Sequence, residues 1–197
     1  MKKIVLLITI LFVSVLTTAC INNLAVQELN NKAKEYMSNG ETEKAICRLK
    51  SSLDLDSNMY ETHYNLAIAY IADKEYGEAI KSLETVLKLK PDFTDTYYSL
   101  GVAYEEEAFT VINGEDKKDK DKDEDKQDET PAKPEKLSAE ETSKVCDLFT
   151  KSIENYNNYL TKKVDAQDKD KVNERINYLN AELRKYNLSE TQAPQEN

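Results

Sequence analysis

Apolar residues recur at helical spacing along most of this chain, and the segment from Tyr60 to Pro91 shows the pattern best. Its recurring apolar residues are Leu66, Ala67, Tyr70, Ala79, Leu83 and Val86. Residues three or four apart lie on one face of an α-helix, so these two groups predict two amphipathic helices. Pro91 fits the boundary that follows, because proline has a preset φ and no amide donor. The segment therefore predicts a helical hairpin.

The pattern recurs at steps of 34 residues in both directions, with matching units starting at Val26 and Thr94. Each unit carries small residues where its two helices would cross. These residues are Ala33, Ala67 and Gly101 in the first helices, and Ala45 and Ala79 in the second. Small side chains opposite large ones let helices interdigitate closely. Three stacked hairpins are therefore predicted. Asp56 or Ser57, and Asp92, are placed to cap the helices that follow.

Residues 24–109 keep one phase and are similar to the tetratricopeptide repeat consensus of spaced Leu, Gly, Tyr, Ala and Pro residues. His63 occupies the opening place usually held by Trp, while Lys32 and Ser57 depart from the consensus in the first unit. The resemblance implies an all-α fold. We expect a right-handed α-solenoid of about three tetratricopeptide helix pairs with a C-terminal capping helix. Residues 26–112 are expected to hold repeats one and two and the first helix of repeat three.

A charged segment, residues 113–136, interrupts the third unit. It holds ten acidic residues and seven lysines, and Ala132 is its one apolar residue. Such a segment buries too little apolar surface to offset the entropy of ordering, so we predict a disordered insert between the helices of repeat three.

Residues 137–187 are predicted to hold the second helix of repeat three and the capping helix. The first of these helices runs from Leu137 to Lys162, and Ser138 with Glu141 forms a capping box at its start. The other helix runs from about Lys169 to Tyr186. Its apolar stripe consists of Val172, Ile176, Leu179 and Leu183. A terminal helix with a polar back seals the last apolar face of a solenoid. Residues 188–197 form a polar tail.

The first nineteen residues have the layout of a secretory signal peptide. Lys2 and Lys3 precede the apolar run from Ile4 to Leu16, and small residues follow. The run is shorter than the ~20 residues that a membrane-spanning helix needs. The sequence Leu16-Thr17-Thr18-Ala19-Cys20 resembles the lipobox of bacterial lipoproteins, and Thr17 stands where Leu is commoner.

That resemblance implies that Cys20 becomes the first residue of the mature chain and carries the lipid, with residues 20–25 as a tether. The predicted location is the bacterial cell envelope. Ile21 is not the Asp of the usual inner-membrane retention signal. The outer membrane, facing the periplasm, is therefore expected in a Gram-negative source, and otherwise the outer face of the cell membrane.

In tetratricopeptide proteins the first helix of each repeat lines a concave groove. Carried onto this chain, the groove residues are Asn30, Lys34, Tyr64, Ile68, Ile71, Tyr98, Val102 and Glu105. Tyr64 and Tyr98 stand one repeat apart, and tyrosine offers a large, rigid contact area. The alternative is that the final helices cover these residues. The basic clamp that some relatives use for chaperone C-termini is absent apart from Lys34, so the resemblance does not favour a C-terminal carboxylate ligand.

The chain shows no constellation for catalysis, a metal or a cofactor. A net charge of -10 argues against nucleic acid, which is bound through basic surfaces. His63 is the only histidine and has no zinc-ligand set around it. The alternating acids of residues 119–123 lack the Gly and Glu of a calcium loop. Cys47 and Cys146 either form a disulfide or remain thiols.

We therefore expect no enzyme but a membrane-anchored adaptor that binds a peptide or helix of another envelope protein in its groove. The alternative is a self-associating structural lipoprotein of the envelope whose repeats stack end to end. Concentration-dependent light scattering separates the two.

Overall fold

A computed structural model describes residues 23–114, 137–163 and 167–190 of the 197-residue chain. Within these ranges the chain forms helices and turns and no strand. The predicted fold class, an all-α solenoid built from paired helices, is confirmed. The predicted signal peptide, Cys20, the charged insert beyond Gly114 and residues 191–197 lie outside the described residues.

The described part of the chain contains seven helices. The first, α1, is helical over residues 23–38. The others are α2 (Thr42–Leu55), α3 (Tyr60–Ala72), α4 (Tyr76–Leu89), α5 (Asp95–Asn113), α6 (Ala139–Lys162) and α7 (Lys169–Glu190). No helix in these ranges is both long enough and apolar enough to cross a bilayer.

The chain divides between Asp92 and Phe93 into two compact units. Unit 1 holds α1 to α4, with α2 packed on α3 and α3 packed on α4. Its buried apolar residues are Val26, Ala33, Ala45, Ile46, Leu49, Leu66, Ala67, Ala69, Tyr70, Ala79, Leu83 and Val86. The four alanines predicted at helix crossings are among them, so the small-residue pattern of this unit is confirmed.

The two sharp turns of unit 1 have the same geometry. Gly40 and Lys74, one repeat apart, both adopt left-handed backbone conformations, with φ of 74° and 63°. The amide after each turn donates a 2.9 Å hydrogen bond to a carbonyl of the preceding helix, from Glu41 to Tyr36 and from Glu75 to Tyr70. A left-handed residue at a helix end lets the chain reverse while the last carbonyls keep donors.

The prediction that Asp56 or Ser57, and Asp92, cap the helices that follow is wrong. Helix α3 begins at Tyr60 and α5 at Asp95, each with no side-chain hydrogen bond at its N-cap. The Asp56 carboxylate accepts an amide only two residues further on, inside the connecting turn. The N-cap positions are instead held by Met59 and Thr94, and neither side chain caps its helix.

Unit 2 holds α5, α6 and α7, with α5 packed on α6 and α6 packed on α7. Its core consists of Ala108, Val111, Val145, Leu148, Phe149, Tyr156, Tyr159, Val172, Ile176 and Leu179. Helices α5 and α6 are in direct contact at Gly101, whose carbonyl accepts a 2.8 Å hydrogen bond from Ser152. A Cβ atom at Gly101 would lie 2.7 Å from the Tyr156 ring, so any larger residue would require that ring to shift.

Helices α6 and α7 follow the sequence prediction closely. The Glu141 amide donates to the Ser138 hydroxyl at 3.2 Å, and the Ser138 amide donates to the Glu141 carboxylate at 2.9 Å. The predicted capping box is therefore confirmed. Helix α7 begins at Lys169, as predicted, but runs past Tyr186 to Glu190. Its predicted stripe packs inward, with three residues buried and Leu183 half-buried against the core.

Candidate functional site

Two adjoining cavities lie between α1 and α3 in unit 1, and we call them together the unit 1 groove. The polar cavity, about 310 Å³, is lined by Val26, Gln27, Asn30, Asn31, Lys34, Met59, Glu61, Thr62 and Asn65. The more apolar one, about 400 Å³, is lined by Ala33, Lys34, Met37, Leu49, Tyr64, Asn65 and Ile68. Lys34 and Asn65 line both cavities, so the polar and apolar ends meet at these two side chains.

Four predicted groove residues come together here. Asn30 and Lys34 lie at the polar end, and Tyr64 and Ile68 lie at the apolar end. Ile71 is half-buried one turn further along α3 and lines neither cavity. Sequence reasoning missed Asn65, which follows Tyr64 directly.

Asn30 joins three helices of unit 1. Its Nδ2 lies 2.9 Å from the Val26 carbonyl, the Ser52 hydroxyl and the Thr62 hydroxyl. Its Oδ1 accepts a 3.1 Å hydrogen bond from Nδ2 of Asn65. An amide side chain has two N–H donors and one carbonyl acceptor, so these partners engage all of its polar groups. Asn30 is therefore structural, and it orients the Asn65 amide at the groove.

The unit 1 groove combines apolar contact area with a few polar groups. Met37, Tyr64 and Ile68 are half-buried, so part of each side chain is available to a ligand. Lys34 is exposed and supplies a positive charge, and Glu61 is exposed and supplies a negative one. Ligand sites are concave and mostly apolar with a few convergent polar groups, and this groove has that character.

Unit 2 contains a buried carboxylate. Glu105 on α5 has only 2% of its side chain exposed. The Tyr156 hydroxyl donates a 2.9 Å hydrogen bond to its Oε2, and the Arg175 guanidinium of α7 forms an ion pair with its Oε1. A buried charge needs a partner of opposite sign and hydrogen bonds, and Glu105 has both. Glu105 is thus buried inside unit 2, where both of its carboxylate oxygens have partners.

The pKa shifts of its two partners follow from this arrangement. Burial raises the pKa of the Tyr156 hydroxyl, and the negative charge of Glu105 raises it further. The hydrogen bond to Glu105 raises the pKa of Arg175. Both shifts favour the protonated partner, so the buried carboxylate keeps a neutral phenol and a charged guanidinium beside it.

A cavity of about 310 Å³ lies beside this cluster. It is lined by Tyr98, Val102, Glu105, Glu106, Tyr156, Asp168, Lys171, Val172 and Arg175. Three of these residues, Tyr98, Val102 and Glu105, were predicted from α5. Sequence reasoning allowed the final helices to cover these residues but named no residue of α7 at the site. The sequence did contain one indication of these residues. Lys171 and Arg175 are four residues apart, so they lie on the same charged face of α7.

Tyr98 forms part of the rim of the unit 2 cavity. The residue is 39% exposed. Its centroid lies 5.7 Å from that of Tyr156 and 5.3 Å from that of Tyr159. Tyr159 in turn donates a 3.0 Å hydrogen bond to Asp168, the residue just before α7. Helix α7 therefore lines the cavity together with Tyr98 and leaves that ring partly exposed.

The remaining candidates have simpler roles. Cys47 lies exposed on α2 with a free thiol, which supports the alternative without a disulfide. His63 Nε2 lies 2.9 Å from the Ser57 carbonyl, so the imidazole ties the α2–α3 turn to α3.

No group of three or more His, Cys, Asp or Glu residues in the described ranges could hold a metal ion. The acids of residues 119–123 lie outside those ranges.

Comparison with known proteins supports the tetratricopeptide (TPR) resemblance. The family model described as TPR repeat matches residues 69–107. The first TPR domain of human RPAP3 has a similar structure, with 15% identity and a TM-score of 0.57 over 81% of this chain and 95% of that chain. No curated protein sequence matches the chain.

Two further similar structures contain peptides. The second TPR domain of human RPAP3, in complex with the HSP70 peptide SGPTIEEVD, has 12% identity and a TM-score of 0.55 over 79% of this chain and 98% of that chain. The first TPR of Spaghetti (RPAP3), bound to the HSP90 peptide SRMEEVD, has 15% identity and a TM-score of 0.51 over 86% and 95%. At these identities the likeness shows a shared fold, the α-solenoid of TPR-type helical hairpins.

Proposed function

We propose that this chain is a lipid-anchored scaffold that binds a peptide or helix of another cell-envelope protein in the unit 1 groove. The observation that carries the proposal is the meeting of a polar and an apolar cavity at Lys34 and Asn65. An apolar side chain of the partner fits the end lined by Tyr64 and Ile68, while its main chain finds hydrogen-bonding groups at the polar end.

The chemistry of the groove suits a peptide better than a reacting small molecule. Tyrosine gives large contact area at low entropy cost, and an oriented amide such as Asn65 both donates and accepts. The peptide complexes of two TPR domains of the same fold support this reading at the level of the fold.

The proposed anchor is Cys20, which follows a signal-like segment. Two or more acyl chains hold a protein stably at a bilayer, since each buried methylene contributes ~0.8 kcal/mol. The proposed location is the bacterial envelope, on the periplasmic face of the outer membrane in a Gram-negative cell or on the outer face of the cell membrane otherwise.

Photo-crosslinking in intact cells tests the groove. A photoreactive phenylalanine analogue replaces Ile68 in the full-length chain, and a matched control replaces Cys47, which is exposed on α2. We expect a distinct crosslinked partner from position 68 alone, lost when Tyr64→Ala is added. Tyr98→Ala, alone and combined with Tyr64→Ala, shows whether unit 2 also contributes.

Three results would count against the adaptor. Equal crosslinking from both positions indicates nonspecific contact. A partner that survives the Tyr64→Ala and Tyr98→Ala double change does not use these rings. A crosslinked product made only of this chain favours the self-associating alternative.

The anchor has a separate test. Metabolic labelling with an alkyne palmitate should tag the wild-type chain, and Cys20→Ala should lose both the label and the membrane fraction. Cys47→Ala is the matched control and should keep both. Label that persists in Cys20→Ala would refute the anchor without touching the groove.

A further inference from the structure

Unit 1 exposes its large apolar side chains at one edge. Among its described residues, the exposed ones are Leu24 near the start of α1, Leu55 at the end of α2 and Leu89 at the end of α4, with 68%, 41% and 37% exposure. We call these three residues the apolar edge.

The hydrogen bonds show that this is a single edge. Asn30 in the first half of α1 bonds to Ser52 near the end of α2 and to Thr62 near the start of α3. The start of α1, the end of α2 and the start of α3 are therefore neighbours. Helix α4 packs on α3 after a tight turn and runs back, so its last residue, Leu89, returns to the same edge.

The opposite edge of unit 1 is polar. It consists of the turn residues Asn39, Gly40 and Glu41 and the turn residues Asp73, Lys74 and Glu75. From Leu24 to the end of α1 the helix rises about 21 Å, at 1.5 Å per residue. The two edges are thus separated by most of the thickness of a bilayer leaflet and its headgroups.

A cavity of about 580 Å³ lies along α1 and reaches α2, and its lining begins at Ala25, the residue after Leu24. It is lined by Ala25, Glu28, Leu29, Asn31, Lys32, Glu35 and Arg48. Leu24 shares a helix face with Glu28 and Asn31, which lie four and seven residues further on. Two acids and two bases make this lining neutral in a chain of net charge -10. An anionic headgroup layer is therefore repelled less here than by the chain as a whole.

We propose that the apolar edge rests on the bilayer that holds Cys20, with Leu24 inserted at the interface; the inference depends on the lipid anchor proposed above. Leu24 is the fourth residue after Cys20, so even a fully extended chain separates them by no more than about 14 Å. The headgroup layer is about 5–7 Å thick on each side.

The chain contains no tryptophan, so one introduced tryptophan is an unambiguous fluorescent reporter. Leu24→Trp, Leu55→Trp and Asn39→Trp are made separately in the full-length lipidated protein. Each is reconstituted into phosphatidylcholine–phosphatidylglycerol vesicles with or without brominated acyl chains, which quench tryptophan on contact. All three positions are exposed or lie in a turn, and circular dichroism confirms the fold of each variant.

We expect brominated lipid to remove most of the emission of Leu24→Trp, a smaller part of that of Leu55→Trp, and none of that of Asn39→Trp. The Leu24→Trp emission should also shift to the blue when vesicles are added. Equal quenching of Leu24→Trp and Asn39→Trp, or none in either, overturns the inference.

Flotation of the same vesicles separates this inference from the anchor. Protein that floats but shows no quenching at position 24 keeps the anchor and refutes the apolar edge. Protein that does not float refutes both. Protein that floats and shows the expected order of quenching supports both the anchor and the apolar edge. Cys20→Ala should then lose flotation and quenching together.

Discussion

The Tyr156 hydroxyl donates a 2.9 Å hydrogen bond to the carboxylate of Glu105, a residue 51 positions earlier in the chain. This bond crosses from α6 to α5, and Arg175 completes the cluster from α7. One buried carboxylate thereby links all three helices of unit 2.

This cluster predicts a loss of stability in alkali. An unfolded tyrosine releases its proton near pH 10.0, whereas the pKa of Tyr156 is raised in the folded chain. Above that pH the folded state holds more protons than the unfolded state, so the free energy of unfolding falls as pH rises. One such group contributes a slope of about 1.4 kcal/mol per pH unit.

Tyr156→Phe should make this alkaline slope shallower by up to that amount. At neutral pH it should also lower the free energy of unfolding by about 1.5–3 kcal/mol, because a hydrogen bond to a charged group is lost. Urea titrations between pH 7 and 11 measure both effects. Tyr178→Phe is the control, since it removes a hydroxyl from an exposed ring, and an identical slope in both variants would contradict the assignment.

Gly101→Ala should lower the free energy of unfolding by about 1–3 kcal/mol. Its new Cβ would lie 2.7 Å from the Tyr156 ring, and overpacking of a filled core has that cost. Gly77→Ala, in α4, is matched to it because nothing lies within 4 Å of its Cβ position. That variant should gain up to about 1 kcal/mol from helix propensity. Thermal and urea unfolding measure the stability of both variants. An unchanged free energy of unfolding in Gly101→Ala would show that the Tyr156 ring moves aside without cost.

Lys74→Gly should stabilise unit 1 by up to about 1 kcal/mol. Lys74 has a left-handed φ of 63°. This conformation is unfavourable for a residue with a Cβ atom, whereas glycine adopts it without that cost. Gly40→Ala, in the equivalent turn, should lose about the same amount. The midpoint of urea unfolding should therefore move in opposite directions in the two variants, and movement in one direction would disprove a shared turn geometry.

Asn30→Ala should cost about 2–4 kcal/mol, because it removes a group of partly buried hydrogen bonds that join three helices. Gln27→Ala, one turn earlier on the same helix, removes one exposed hydrogen bond and should change stability by less than about 0.5 kcal/mol. Denaturant unfolding compares them. Equal effects would show that the Asn30 contacts add no net stability.

Periodicity was sufficient to predict the helical hairpins, since one apolar stripe per helix determines which face is buried. The small residues at the crossings and the capping box follow from local sequence as well. Glu105 could not be assigned in this way. It sits on the polar side of an α5 pattern, and its burial depends on Tyr156 and Arg175, which are distant in sequence.

The unit 1 groove was predicted in part for a similar reason. Tyr64 and Ile68 follow from the repeat places that they occupy. The role of Asn65 depends on its hydrogen bond to Asn30, 35 residues away, which only the folded packing of α1 against α3 reveals.

The Glu105 cluster also determines how short a stable unit 2 can be. A truncated chain that ends before Arg175 would keep the carboxylate in its apolar surroundings and lose its counter-charge. The packing of α5 on α6 alone would then have to offset the free-energy cost of burying this unpaired charge. Fragments used for binding studies should therefore retain α7 even when the ligand contacts only unit 1.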